Sequence, residues 1–245
     1  MYIPRFIPRL DIKNENLIKG IQLEGLRVIG DPNKFAVKYY KEGADELLFM
    51  DTVASLYGRN NLTDVIKKTA KNVFIPITVG GGIRTLKDAE KILRNGADKF
   101  AINTAAIKNP KLITNLAKQF GSQCVVLSIE AKKINTDKWE VFTHNGREKT
   151  GIDVIEWVKK STNLGAGEVL LTSVDCDGTK KGFDVALIES VSKICKIPLI
   201  VSGGLGSLAD INNIKKLNIN GICAGSSLHY NLLQISQIKK NLNKC

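Results

Sequence analysis

The chain has 245 residues, 43% of them hydrophobic and 24% charged, the balance of an ordinary globular protein with enough length for a large core. Its net charge is +12, yet the lysines are scattered without aromatic interleaving and no run of about 18 apolar residues occurs, which argues against a nucleic-acid surface and a membrane span. Five cysteines with no CxxC pair and only two histidines, His144 and His229, speak against a disulfide framework, a histidine zinc site and a histidine-centred triad. With no signal-peptide pattern in MYIPRFIPRLD, the protein is expected in the cytoplasm.

The first predicted strand, FIPRLD, ends on Asp11, and a long polar connection over residues 12–31 follows, carrying Lys19 and able to close over a bound substrate. Strands ELLFMD, FIPITVG and KFAIN come next, separated by DPNKFAVKYYKEGA, NLTDVIKKTAKN and TLKDAEKILRNGA. These separators place apolar residues at helical spacing, and several end at Gly or Asn. After the helical NPKLITNLAKQFG, the strand CVVLSIE ends abruptly on Glu130. The stretch 131–149 alternates around Trp139, Val141 and Thr143 with Asn145-Gly146 as a turn signal, so a hairpin beside the active site is predicted there. Strands EVLLTS, IPLIVSG and GICAG complete the series, joined by DVIEWVKKSTNLGA, DVALIESVSKIC and SLADINNIKKLN. Eight strands with helical connections predict a single (β/α)8 barrel, a TIM barrel, spanning residues 1–245.

Internal repetition supports this and divides the barrel into two halves. GADE at 43–46 matches GAGE at 165–168, Ile75-Pro76 matches Ile197-Pro198, and Gly81-Gly82 matches Gly203-Gly204, all at an offset of 122 residues. ILRNGADKFAINTA realigns with IKKLNINGICAGSS at the same offset.

Barrel enzymes carry their chemistry on the loops after the C-terminal strand ends. Gly81-Gly82 and Gly203-Gly204 end strands three and seven, where backbone NH groups can approach a phosphate. Asn103-Thr104 and Gly225-Ser226, after strands four and eight, lead into helix N-termini suited to an anion. A lone Gly-Gly pair would equally serve a tight strand exit, but two pairs related by the repeat predict two phosphate sites and a substrate phosphorylated at both ends. Asp177 and Gly178 after strand six are placed with this phosphate-binding set, although Asp177, like Asp51 after strand two, equally suits orienting a hydroxyl or capping a helix. Asp11 and Glu130, on opposed strands, can divide general acid and base work, which of them is acid being left open; the bland reading pairs each with Lys13, Lys19 or Lys132. At the strand starts, Arg5, Glu46, Lys99 and Glu168 read as a salt-bridged ring.

Taken together, IPRLDIKN…LIKG, DELLFMD, ITVGGGIR, GADKFAINTAA, FGSQCVVLSI, LTSVDCDGTKKGFD and VSGGLGS resemble the HisF cyclase family of imidazole glycerol phosphate synthases over essentially the whole chain; the related HisA isomerases share the half-barrel and the phosphate clamps. The resemblance implies a lyase of histidine biosynthesis with neither metal nor organic cofactor. It would join ammonia to a phosphoribulosyl formimino-AICAR phosphate and release imidazole glycerol phosphate and AICAR. It implies Asp11 and Glu130 as the acid/base pair, Lys19 as the loop lysine, and Gly82, Asn103, Thr104, Gly203, Gly204 and Ser226 among the phosphate ligands. It also implies a glutaminase partner at the barrel floor, near Asp98 and Gln123, with Arg5, Glu46, Lys99 and Glu168 as the gate of an ammonia channel. Two positions depart from the family pattern: Arg9 stands where Cys is usual, and Glu130 where Asp is usual. The alternatives are an ammonia-channelling partner of a surface-sugar amidotransferase with weak cyclase activity, a sugar isomerase acting alone, and, distantly, a nucleic-acid module.

Overall fold

The computed structural model describes residues 3–54 and 62–243. Twelve strands are present among them: β1 (Arg5–Lys13), β2 (Asn16–Ile21), β3 (Glu24–Gly30), β4 (Leu47–Asp51), β5 (Ile77–Gly80), β6 (Lys99–Ile102), β7 (Val125–Asn135), β8 (Lys138–Thr143), β9 (Glu148–Asp153), β10 (Glu168–Ser173), β11 (Leu199–Ser202) and β12 (Gly221–Ala224). Eight of these pair in parallel in the order β1-β4-β5-β6-β7-β10-β11-β12, and β12 returns to β1, so the sheet closes. All eight predicted strands are barrel strands, and helices pack outside them as the apolar spacing requires.

Closure leaves two cores. Between the strands and the outer helices lies a large apolar layer that includes Phe6, Leu10, Phe49, Val79, Trp157 and Tyr39. The lumen is filled by a smaller cluster in which Ile7, Leu48, Val126, Leu170 and Ile200 meet Cys223. Alternation along β1 separates the two: Phe6 and Leu10 face the helices, whereas Ile7, Arg9 and Asp11 face the lumen.

The two-fold repeat is written in the backbone as well. Thr85 and Ser207, 122 residues apart, both open helices with capping boxes, closed by Asp88 and Asp210. Gly81 and Gly203 adopt the same left-handed φ, 99° and 98°. Asn103 (φ −133°, ψ −87°) and Gly225 (φ −124°, ψ −67°) share one uncommon conformation before the short helices Thr104–Lys108 and Ser226–His229.

Each half also carries a β-extension at its first strand, and one was not anticipated. Residues 12–31 were expected as an irregular connection; instead β2 and β3 form a hairpin paired antiparallel to the end of β1. Its turn, Gln22-Leu23, takes positive φ at both residues (53° and 64°) without the Asn or Gly that usually announces such a turn, so the sequence pattern concealed it. Tertiary bonds hold that strained turn: the Gln22 NH donates to the Asp177 carbonyl at 2.7 Å, and the Asn145 side chain donates to the Leu23 carbonyl at 2.9 Å. The predicted hairpin in the second half is β7–β8, extended by β9, with Asn145-Gly146 in the second turn. A helix over Ile235–Leu242, which the pattern reading passed over, completes the described chain.

Candidate active site at the barrel mouth

Asp11 and Glu130 lie four strands apart in the closed order and therefore oppose each other across the mouth. Both are almost fully buried, 3% and 7% exposed, and their surroundings differ sharply. Asp11 Oδ1 accepts from Arg9 Nε at 2.7 Å and Oδ2 from Lys19 Nζ at 2.9 Å. Burial alone would raise the carboxyl pKa, but the charges of Arg9 and then Lys19 outweigh it and hold Asp11 well below the ordinary carboxylate range. Among the described residues no cation is bonded to Glu130. Desolvation pushes its pKa up to about 7, opposed in part by the Gly146 NH, which donates to Oε2 at 2.8 Å, and by the more distant Arg9. Two carboxylates thus sit in one mouth, one held ionised and one poised to exchange a proton near neutrality.

Lys19 is only 3% exposed. The hairpin carries it inward, where it also donates to both oxygens of Asp177, at 2.9 and 3.2 Å. Asp11 and Asp177 in turn hold the ammonium charged, raising its pKa against the effect of burial. Lys19 is thus withdrawn from solvent, and the hairpin is fastened to the barrel by a buried charge cluster.

The two predicted anion sites are distinct pockets. The first is a cavity of about 160 Å³ bounded by Gly81, Gly82, Asn103, Thr104 and Glu130, so one clamp and one carboxylate share a single space. Arg84, Lys108 and His144, which the sequence reading did not select, also line it. The His144 NH donates to Thr104 Oγ1, while His144 Nδ1 and Asn103 Oδ1 are buried without a partner among the described residues, polar atoms that a ligand could satisfy. The second is a small cleft of about 10 Å³ between Asp177, Gly178, Gly203, Gly204, Gly225 and Ser226. It adjoins a wider groove of about 620 Å³ under the hairpin, lined by Lys19, Arg27, Gly178, Lys180 and Ser226. Ser226 Oγ is buried and unpartnered there. Gly204, at φ 112°, faces the Gly182 carbonyl so closely that any Cβ would collide with it. Asp51 Oδ1 accepts from the NH groups of Val53 and Ala54 at the end of β4.

At the other end of the lumen the four charged residues form one closed ring. Glu46 accepts from Arg5 Nη1 at 2.7 Å and from Lys99 Nζ at 3.0 Å, and Glu168 accepts from Arg5 Nη2 and from Lys99 at 3.0 Å. Thr78 Oγ1 adds a bond to Glu46 at 2.6 Å. Asp98 and Gln123 are exposed near this end, Asp98 accepting from the Ile77 NH and Gln123 donating to the Phe120 carbonyl. Arg9 is the residue whose importance was hardest to see in advance. Its guanidinium bonds Asp11 and reaches Thr172 Oγ1 at 3.3 Å, 163 residues away, a pairing that only barrel closure creates.

Among the described residues no helix is long and apolar enough to cross a membrane. The profile of the family described as "Histidine biosynthesis protein" matches residues 5–234. The chain is 64% identical to the imidazole glycerol phosphate synthase subunit HisF of Legionella pneumophila over 208 residues, covering 85% of this chain and 98% of that protein. It is 48% identical to the subunit of the same name from Bacillus cereus (strain Q1) over 243 residues, 99% of this chain and 96% of that one.

Proposed function

The chain belongs to the histidine biosynthesis protein family, among the HisF subunits of imidazole glycerol phosphate synthase, and from that premise we propose the following reaction and division of roles. The protein is the cyclase subunit, a lyase, and works with a partner subunit. Ammonia adds to the ketose carbonyl of a phosphoribulosyl formimino-AICAR phosphate, water leaves, and the resulting nitrogen closes the imidazole ring on the formimino carbon. Cleavage of the carbon–nitrogen bond then releases AICAR and imidazole glycerol phosphate.

Neutral Glu130 donates the proton that the departing carbonyl oxygen needs, and ionised Asp11 receives a proton from nitrogen as the ring closes. The substrate's two phosphates occupy the Gly81-Gly82-Asn103-Thr104 and Gly203-Gly204-Gly225-Ser226 clamps, which lie on either side of these carboxylates. Asp177 and Gly178 complete the second clamp, Asp177 by holding Lys19 over it. The carrying observation is the pair of repeat-related anion pockets flanking two carboxylates whose environments drive their proton affinities apart.

Ammonia comes from a glutaminase docked on the floor, through the gate of Arg5, Glu46, Lys99 and Glu168. The exposed Phe74 and Ile3, beside the starts of β5 and β1, support a docking face at this end. The test is to incubate the purified chain with ammonium salt and the bisphosphate intermediate and follow loss of that intermediate spectroscopically. Turnover is expected, and Asp11→Asn should abolish it while substrate binding survives. A folded chain without turnover would overturn the cyclase assignment and favour the surface-sugar alternative.

A further inference from the structure

We propose that Arg9 is a positioning residue of this site: it is the standing counter-charge that keeps Asp11 ionised when Lys19 leaves, and it sets the field in which Glu130 exchanges its proton. The inference rests on the cyclase reading for its kinetic consequences only.

The geometry distinguishes the two cations on Asp11. Arg9 belongs to the barrel wall, two residues before Asp11 on the lumen face of the same strand, and is 3% exposed. Its Nη1 bonds Thr172, which is the register partner of Glu130, so the guanidinium spans the mouth from one carboxylate toward the other's neighbour. Beneath it the apolar layer of Ile7, Leu48, Val126 and Leu170 offers no hydration. Lys19, in contrast, rides on the β2–β3 hairpin, outside the barrel wall and beside the second clamp. Any lifting of that hairpin would withdraw Lys19 from Asp11 and Asp177 together.

Arg9 stays behind. Without it, withdrawal of Lys19 would leave Asp11 with neither of its two bonded cations, which favours its protonated form. A guanidinium does not lose its proton in a protein, so this counter-charge is constant across the working pH range. Among the described residues, the charged and titratable groups facing the two carboxylates are Arg9, Lys19, Asp51, Arg84, Lys108, His144, Asp177 and Cys223. Of these, Arg9 acts on both.

The test titrates the carboxyl groups of the free protein by ¹³C NMR, with Asp and Glu labelled and assigned through Asp11→Asn and Glu130→Gln. It also measures kcat/KM against pH at a fixed concentration of unprotonated ammonia. In Arg9→Gln the Glu130 midpoint and the alkaline limb of the rate profile are expected to move up together. In Arg9→Lys both should stay near the wild-type position. In Lys19→Met, where Arg9 is untouched, Asp11 should still titrate below the ordinary value of about 4. An unmoved Glu130 midpoint in folded Arg9→Gln, or an Asp11 midpoint at or above the ordinary value in Lys19→Met, would overturn the proposal. Failure of the cyclase reading would show separately, as wild-type protein without turnover whose carboxyl titrations still respond to Arg9.

Discussion

Shortening Glu130 to Asp is the most informative single change, because the loop beside it is built to the longer side chain. Glu130 Oε2 accepts from the Gly146 NH at 2.8 Å. Removing one methylene retracts the carboxylate by about 1 Å, stretching that contact beyond hydrogen-bond range. The Gly146 NH lies in a tight turn at φ 76°, and leaving it unsatisfied costs about 1–3 kcal/mol. The retracted carboxylate also lies farther from the space bounded by Gly82 and Thr104, a misplacement worth on the order of 10²-fold in kcat. Glu130→Gln is the matched control: its Oε1 still accepts from Gly146, so the turn should persist while proton donation is lost, with a kcat deficit of roughly 10²–10⁴.

The assay is ammonia-dependent turnover of each variant, together with amide exchange at residues 144–148. Glu130→Asp should show faster exchange and a rate loss; Glu130→Gln should show native exchange and a larger rate loss. Stability adds a signed check. The Glu130 pKa is raised from an ordinary 4.5 to about 7, so the folded state binds the extra proton between those values. The associated stability is fully present below about 4.5 and is lost as pH rises through 7, by about 3 kcal/mol at most. Glu130→Gln, which buries no charge, should therefore gain on wild type over that window. If Glu130→Asp kept full turnover with a protected turn, the claim that this mouth is shaped around glutamate would be refuted.

Three further outcomes follow from the same geometry. Lys19→Ala should release the hairpin, so amide exchange over residues 16–30 accelerates while the barrel strands stay protected; unchanged exchange would mean that the ion pairs with Asp11 and Asp177 do not fasten it. Lys99→Met leaves Glu46 and Glu168 with Arg5 as their remaining ring cation and should cost about 3 kcal/mol of stability by denaturant melt. The same variant should depress glutamine-dependent turnover more than ammonium-dependent turnover, and equal losses would argue against a gate. Gly204→Ala forces a Cβ onto the Gly182 carbonyl at φ 112°, so it should raise KM for the bisphosphate by roughly tenfold or more, measured by steady-state kinetics; an unaltered KM would separate this loop from substrate binding.

The fold was legible because its signals are local and repeated. Short apolar runs, helical spacing and matches at an offset of 122 residues each survive without knowledge of the tertiary structure, and together they require a closed eight-stranded barrel. The glycine-lined pockets at the mouth and the ion-paired ring at the floor followed, since the strand ends place Gly81-Gly82, Gly203-Gly204, Arg5 and Glu168 on known faces. The hairpin escaped because Gln22 and Leu23 adopt left-handed conformations with no local sequence cue, held by partners at Asp177 and Asn145.

What the tertiary structure alone decided is the state of the charges. Sequence placed Asp11 and Glu130 opposite one another but left them chemically equivalent. Desolvation pushes the Glu130 pKa up to about 7, with no bonded cation among the described residues to oppose it, and the charges of Arg9 and Lys19 hold Asp11 low against its burial. Those differences arise from desolvation and from contacts such as Arg9 to Thr172 and Lys19 to Asp177, 163 and 158 residues apart. Residue types and spacing determine which groups reach the mouth; only closure of the barrel determines which of them water can still reach and which cation each one meets.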